Sequence, residues 1–388
     1  MRARIASGVA GEGHEQVMHT AVYDSIDEIG ARRIEPLEGA RLDFSYGLLR
    51  AIERSLWGDL TVKYLAVEAS DEMLAFTPIY IGANLNFNAL LPGFVQSGYA
   101  ALIKFFGQKA AYRIAVVGCL ISDYGWIPML RGGDAHAIVK LMLPEIDRVT
   151  GAQGAHFCML KDIRRDFPAI SEFVAAGYTQ GFSLPTVSVP TAFKSFEDYV
   201  QNRSKNGRKH ARKADGKLAL RTVADFTDLV PVVYPFFRRT FLKAKYQFEE
   251  LSPRFFAECA RSTQPRTELV VCEKAGRIVG ATLNFYDAHE LQIKRVGVDY
   301  EQEETALIYN MMMYQGLRNA IERGIPCVSL GQSTYLPKTR LGGEMDDLYL
   351  FLKGYSAATR ASFPAQRLWM ERYRAERVLT TLQGDALT

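Results

Sequence analysis

Apolar residues recur at helical spacing between Phe44 and Leu56, at Leu48, Leu49, Ile52 and Leu56, which predicts an amphipathic helix. Two strand candidates follow, Val62–Val67 and Met73–Tyr80, parted by the turn-like Ala69-Ser70-Asp71. Between Ile81 and Asp134 the chain is rich in aromatic residues: Phe87, Phe94, Tyr99, Phe105, Phe106, Tyr112, Tyr124 and Trp126. Most of these read as core, but the Pro-Gly punctuation points to a part that lines a groove. Next come a helix over Ala137–Val149, a strand over His156–Leu160, a helix over Ile170–Ala176 and an alternating strand over Phe182–Val189. Residues up to about Thr20 lack this patterning and read as a frayed terminus.

The second half repeats the order of elements with a longer meander. It reads as a strand (Leu218–Val223), a helix (Phe226 to about Lys243), a short helix (Pro253–Cys259) and three strands (Thr267–Lys274, Ile278–Tyr286, Leu291–Val296). Leu307, Met311, Tyr314, Leu317 and Ile321 then form one helical stripe, ended by Gly324. On that stripe the run Met311-Met312-Met313 is packing material. Strands Cys327–Leu330 and Leu348–Leu352 follow, and an Arg- and Glu-rich amphipathic helix over Ala365–Leu382 ends the pattern.

Between those last two strands lies a segment whose period is neither helical nor strand-like. It carries Gln332, Ser333 and Tyr335, a lysine after proline (Lys338), a second cation (Arg340) and the pair Gly342-Gly343. Loops held at both ends by rigid elements are where function concentrates. A second unusual segment, Gln201–Lys217, holds seven Lys/Arg, one His and a single acid, Asp215. Ser204 is placed to cap a helix running to Ala214, on which Lys205, Lys209 and Lys213 share one face and Arg208 and Arg212 its neighbour. Like charges so close repel, so the segment reads either as a solvated linker or as a clamp for phosphate.

Composition narrows the classes. The 388 residues suffice for two domains, and 48% hydrophobic with 23% charged residues describes an ordinary globular chain. A net charge of +4 is too small to argue for nucleic acid on its own. Five scattered cysteines without C-x-x-C spacing read as buried free thiols in a reducing cytosol, so a cytoplasmic location is expected. No signal peptide or membrane span is expected. There is no G-x-S-x-G motif, and no His/Cys/Asp spacing suggests a metal site.

The second-half order resembles the GNAT acyltransferase fold, and the first half is a thinner version. The fold class expected is therefore α/β (α+β): two tandem GNAT-like domains, each a mixed, mostly antiparallel sheet flanked by helices. The expected limits are 20–190 for the first domain, 191–217 for a basic joint, 218–360 for the second domain and 361–388 for a terminal helix. With the Arg/Lys-rich joint and a late K-x-x-L-G-G after G-Q-S-T-Y, the chain resembles the FemAB/FemX superfamily and its CelD-like (BioF2-like) members over roughly residues 45–355.

That resemblance implies an amide-forming transferase without a cofactor of its own. Aminoacyl-tRNA would be the donor and a small-molecule amine the acceptor, between the domains, with no DNA partner. It places Lys338 at the donor ester, as the residue steadying the oxyanion, and gives Tyr335 orientation or proton transfer. Gln332, Ser333, Arg340, Lys294, Arg295, Tyr124 and Trp126 are the candidate substrate contacts. Arg203, Lys205, Arg208, Lys209, Arg212 and Lys213 are the candidate tRNA phosphate contacts. Two other readings stay open: an acyl-CoA-dependent N-acyltransferase, and a non-catalytic GNAT-like protein that binds RNA. Against CoA, Asp299, Glu301, Glu303 and Glu304 crowd the helix N-terminus where a pyrophosphate would lie. A surface-type stability change, under about 0.5 kcal/mol, is expected for Lys338→Ala.

Overall fold

The computed structural model describes residues 2–4, 17–83, 112–203, 205, 207–208, 218–244, 249–262, 265–357, 359–360 and 371. Among them the chain divides into two units, one taking the residues up to Ser183 and those from Asp347 onward, the other Leu184–Asp346. The elements run β1 (Arg2–Arg4), β2 (Val17–Tyr23), α1 (Ile26–Ile29), α2 (Ala31–Ile34), β3 (Leu37–Glu38), α3 (Tyr46–Arg54), β4 (Thr61–Ala69) and β5 (Glu72–Gly82). After them come β6 (Ile114–Val117), β7 (Met129–Leu130), α4 (Ala135–Ala152), β8 (Phe157–Arg164), α5 (Ile170–Ala175), β9 (Thr179–Phe182), β10 (Thr186–Pro190) and α6 (Phe196–Gln201). The second half supplies β11 (Ala219–Val223), α7 (Val230–Lys243), α8 (Pro253–Ala260), β12 (Arg266–Lys274), β13 (Arg277–Tyr286) and β14 (Leu291–Val298). It closes with α9 (Thr305–Glu322), β15 (Cys327–Gln332), α10 (Tyr335–Arg340), β16 (Glu344–Asp346) and β17 (Leu348–Gly354).

The two sheets share one plan. The first runs β1-β2-β4-β5-β6-β8-β17-β9, with β7 and β3 attached through β5; the second runs β11-β12-β13-β14-β15-β10-β16. Among the strands of the described residues, the parallel pairing is β6 with β8 in the first sheet and β14 with β15 in the second. A parallel pair needs a crossover, and the two long helices α4 and α9 supply it. Polar side chains mark where helices begin: Asp134 accepts from the amides of His136 and Ala137 ahead of α4, and Ser195 from the amide of Asp198 ahead of α6. The mixed, mostly antiparallel sheets flanked by helices are those expected.

Strand partners depart from the expectation in one respect. Phe182–Val189 is not one strand: Pro185 interrupts it, and β9 pairs with β17 whereas β10 pairs with β15 and β16. Leu348–Leu352, read as the last strand of the second domain, instead fills the place between β8 and β9 in the first sheet. The expected limits of 20–190 and 218–360 are thus each crossed by a strand. Period-2 patterning reports a buried strand but not which sheet receives it. The expected frayed terminus is corrected at residues 2–4 and 17–20, where β1 pairs with β2 and β2 with β4; residues 5–16 lie outside the described residues.

Each core lies between a sheet and its crossover helix. In the first unit Ile138, Met142 and Ile146 of α4 pack with Leu65, Ile79, Val117, Phe173 and Phe351. In the second, Met313, Leu317 and Ile321 of α9 pack with Val187, Ile293 and Leu330, while Ile308 and Met312 cover Val270 and Val298. The stripe read at Leu307 and Met311 is therefore one residue early at its start. A buried carboxylate stands within the second unit. Glu268 of β12 is ion-paired with Arg323 at 2.6 Å and accepts from Asn319 at 2.8 Å and Asn284 at 3.2 Å, as a buried carboxylate requires. The expected helix over 365–382 and the aromatic residues Phe87, Phe94, Tyr99, Phe105 and Phe106 lie outside the described residues.

Four of the five cysteines are buried, and burial pushes the thiols of Cys158 and Cys272 up to about 12. The thiolate is the reactive form, so maleimide at pH 8 should label half-buried Cys327 first and reach Cys158 and Cys272 only on unfolding. Mass-spectrometric mapping of the adducts checks this. Phe351 of β17 is fully buried with its ring 5.0 Å from that of Phe173. Phe351→Ala should destabilise by about 3–5 kcal/mol, with amide-exchange protection lost first in β8 and β9. Loss confined to β10 and β15 would contradict the strand's placement.

Candidate functional site

The two parallel pairs are built differently, and the difference isolates a site. In the first unit β6 pairs with β8 along its whole length, Ile114↔Phe157 to Val117↔Leu160. The chain then leaves the sheet at Gly118 and rejoins β8 further along in the same direction, with Gly125 in a parallel bridge to Ile163. There the amide of Gly125 donates to the carbonyl of Asp162, and Lys161 Nζ donates to the carbonyl of Ser122 at 2.5 Å. Only glycine fits at position 125, because a Cβ would overlap the carbonyl of Lys161.

In the second unit β14 and β15 pair only at their beginnings, Leu291↔Val328 and Gln292↔Ser329. Beyond that point β14 continues to Val298 and β15 to Gln332. Their facing edges have no strand partner among the described residues. At the far end Thr240 Oγ1 of α7 accepts from the amide of Val298 at 3.3 Å. Extended backbone whose edge is unpaired can take up another extended chain. This gap between the strands is the candidate site.

The end of β15 borders the gap and contains the segment singled out in the sequence. It is not an irregular loop: the strand reaches Gln332, Ser333 and Thr334 take left-handed φ values of 61° and 51°, and α10 begins at Tyr335. Such φ values are unfavourable for non-glycine residues and lie close to functional sites when they persist. Lys338 of α10 is 4% exposed. Its Nζ donates to the carbonyls of Gly331 at 3.0 Å and Gln332 at 2.7 Å. Tyr335 is also buried and donates to the carbonyl of Pro185 at 3.0 Å, while Gln332 Nε2 donates to that of Leu184 at 2.9 Å. Ser333 and Arg340 are exposed. The surface character assumed for Lys338 is therefore corrected: helix formation after a strand end turned its stem inward.

Lys294 and Arg295 sit on β14 at an irregularity in its pairing with β13, where Leu283 meets Arg295 and Asn284 meets Ile293. Lys294 is 4% exposed, with Nζ 3.4 Å from Gln292 Oε1. Arg295 is paired with Glu249 and donates to the carbonyl of Lys294 at 2.8 Å. Ahead of α9 the carboxylates of Asp299, Glu301 and Glu304 are engaged. Asp299 Oδ1 accepts from the amide of Glu301 at 3.1 Å, Arg239 lies 3.1 Å from Glu301, and Lys274 lies 2.5 Å from Glu304.

The basic joint is helical at Lys205, Gly207 and Arg208, with Lys205 exposed and Arg208 half-buried. Arg203 rests over the ring of Tyr199, 5.1 Å from its centre. Lys209, Arg212 and Lys213 lie outside the described residues. Tyr199 itself was missed in the sequence, although it is fully buried and donates to the carbonyl of Leu341 at 2.7 Å. Its signal was the Ser195-capped helix just before the basic run. Burial holds its phenol well above the ordinary tyrosine range. Tyr124 and Trp126 belong to the first unit. Arg164 lies over the Tyr124 ring at 5.9 Å, and Trp126 meets Phe167 edge-on at 5.1 Å. The structure thus brings Gln332, Ser333, Tyr335, Lys338 and Arg340 together at the end of β15, and Trp126 packs against the core of the other unit.

The model of the family FemAB_like, described as peptidoglycan biosynthesis/recognition, matches residues 124–335. Putative 8-amino-7-oxononanoate synthase 2 from two strains of Mycobacterium tuberculosis is 22% identical over 317 residues, covering 77% of this chain and 40% of the relative. The chain therefore spans well under half the length of these curated relatives. The crystal structure of FemX superposes with a TM-score of 0.54 at 9% identity, covering 79% of this chain and 91% of that one. The C-terminal domain of a putative lysylphosphatidylglycerol synthetase from Agrobacterium fabrum gives 0.53 at 13% identity, covering 88% and 96%. These likenesses show the fold. Among the described residues no helix is long and apolar enough to cross a membrane.

Removing Lys338 strips two carbonyls at a buried strand end of their donor. Lys338→Ala should therefore cost about 1–3 kcal/mol, measurable by denaturant unfolding. A change below about 0.5 kcal/mol, the size usual for a surface site, would mean that the ammonium does not hold the strand end.

Proposed function

The chain belongs to the FemAB-like family, and from that premise we propose that it transfers an aminoacyl group from aminoacyl-tRNA to an amine. The acceptor is the amine of a small-molecule or cell-wall precursor. The amine nitrogen attacks the ester carbonyl, the 3′ oxygen of the tRNA leaves, and the proton lost by nitrogen passes to that oxygen. The observation that carries this reading is the gap between β14 and β15. Its edges are extended backbone, able to align an acyl chain and to direct amide N–H groups at a developing oxyanion. The first unit has Gly118–Gly125 folded along the corresponding part of β8, so the reading assigns catalysis to the second.

The choice of an aminoacyl ester over a CoA thioester is supported at the start of α9. A diphosphate bound there would compete with Asp299 for the Glu301 amide and with Glu301 for Arg239. In this reading Lys338, Tyr335 and Gln332 are positioning residues. Lys338 fixes the carbonyls at the end of β15, and the other two anchor that end to Leu184 and Pro185.

Incubation with aminoacyl-tRNA and a panel of amines should release deacylated tRNA faster than spontaneous hydrolysis, and acetyl-CoA should remain intact. Consumption of acetyl-CoA alone would overturn the donor, and consumption of neither would leave an RNA-binding protein without catalysis. Lys338→Ala should lower turnover roughly a hundredfold through misplacement of the strand end. Undiminished turnover would remove Lys338 from the site.

A further inference from the structure

A second feature of the same unit concerns the two arginines that open the basic joint. Arg203 follows α6 and lays its guanidinium over the ring of Tyr199. It also packs against the backbone of Gly342, so closely that a side chain there would overlap its Nη1. Gly342 has φ +84°, a conformation that glycine adopts without strain. Arg208 reaches back over this corner, its Nη1 donating to the carbonyl of Arg203 at 2.7 Å. The helical turn carrying Arg208 is held by Tyr314 of α9, whose hydroxyl lies 3.5 Å from the carbonyl of Gly207.

The Nε of Arg203 is buried without a hydrogen-bond partner. Arg208 donates to the carbonyls of Gln201 and Arg203. Among the described residues neither guanidinium has a carboxylate within ion-pair distance, although the other half-buried arginines Arg33, Arg50, Arg113 and Arg295 do. Two adjacent cations, one with a buried unsatisfied donor, are costly unless a charge of opposite sign meets them. Arginine forks match the paired oxygens of phosphate, and a guanidinium stacked on an aromatic ring keeps its fork oriented.

We propose that Arg203, seated between Tyr199 and Gly342, and Arg208, bonded to the carbonyl of Arg203, form a subsite for one phosphate group. Its source is a phosphodiester of the donor RNA; that source, but not the subsite, rests on the functional reading above. The glycine pair after α10 then has a definite task. Gly342 leaves room for the guanidinium, and the same turn follows the helix that carries Lys338, so phosphate recognition and the strand end are linked through one short segment.

The test uses the full chain, deacylated tRNA, inorganic phosphate and a nucleoside diphosphate, with no transfer reaction. Wild type should bind tRNA with a steep salt dependence. Arg203→Met and Arg208→Met should each weaken binding about tenfold or more and make the log–log salt slope shallower by roughly 0.7–0.9. Gly342→Ala, which keeps every charge, should weaken binding as well by displacing Arg203. Inorganic phosphate should compete with tRNA in wild type and lose that effect in Arg203→Met. Thermal unfolding of each variant verifies that it is folded, and Arg203→Lys, which keeps the charge without the fork, takes the place of any that is not. An unchanged slope in both arginine variants, or no saturable binding of tRNA or phosphate by wild type, would overturn the proposal. Binding of the nucleoside diphosphate but not of tRNA would overturn the RNA source. Aminoacyl transfer with an unaltered slope in the variants would leave the functional reading standing and remove this subsite.

Discussion

Backbone N–H and C=O groups taken out of water must find partners, and that requirement organises this molecule. In each sheet the strand after the crossover helix, β8 or β15, has two edges to satisfy. The outer edge is met by a strand from elsewhere in the chain: β17 joins β8 from the far end of the sequence, and β10 joins β15 from ahead of the second sheet's own strands. The chain therefore passes between its two units at Ser183–Leu184 and again at Asp346–Asp347. Each sheet is complete only with a strand that the order of elements would assign to the other.

The inner edge is where the two units part. Both follow the same strand order, so the same position can be compared within one chain. In the first unit the segment that rejoins the sheet at Gly125 takes up the edge of β8, and the ammonium of Lys161 on β8 holds the Ser122 carbonyl of that segment. In the second, β14 diverges from β15 after Gln292, and the nearby polar groups are arranged as a border. Lys338 collects the last carbonyls of β15, and Gln332 and Tyr335 fasten that end to the backbone just before β10. One copy of the plan thus fills this edge with its own chain, and in the other the edge has no strand partner among the described residues.

Much of the fold was legible in the sequence because its signals are local. The stripe on α9, the β12–β13–β14 meander and the turn at Ala275-Gly276 follow from periodicity and turn chemistry. Strand partnership was not legible, because Phe182–Val189 and Leu348–Leu352 carry the same alternation whichever sheet they enter. Of the candidate site, the sequence located the segment and its polar residues but assigned Lys338 to solvent. The reason is a particular one. Pro337, which reads as a helix breaker, occupies the first turn of α10, where a missing N–H costs nothing. Once that helix forms, the lysine stem points into the unit. Tyr199 escaped notice because the Ser195 cap signals the short helix but not which of its side chains anchors a distant carbonyl.

The central claim is that acyl transfer takes place at the divergent strands of the second unit. Backbone amide exchange tests it most directly, measured by mass spectrometry with and without a non-hydrolysable aminoacyl-RNA analogue. Occupation of the gap should slow exchange along Ile293–Val298 and Leu330–Gln332 and leave β6 and β8 unchanged. Protection appearing at Ile114–Val117 and Phe157–Arg164 instead, with β14 and β15 unaffected, would place the chemistry in the other unit and contradict the account.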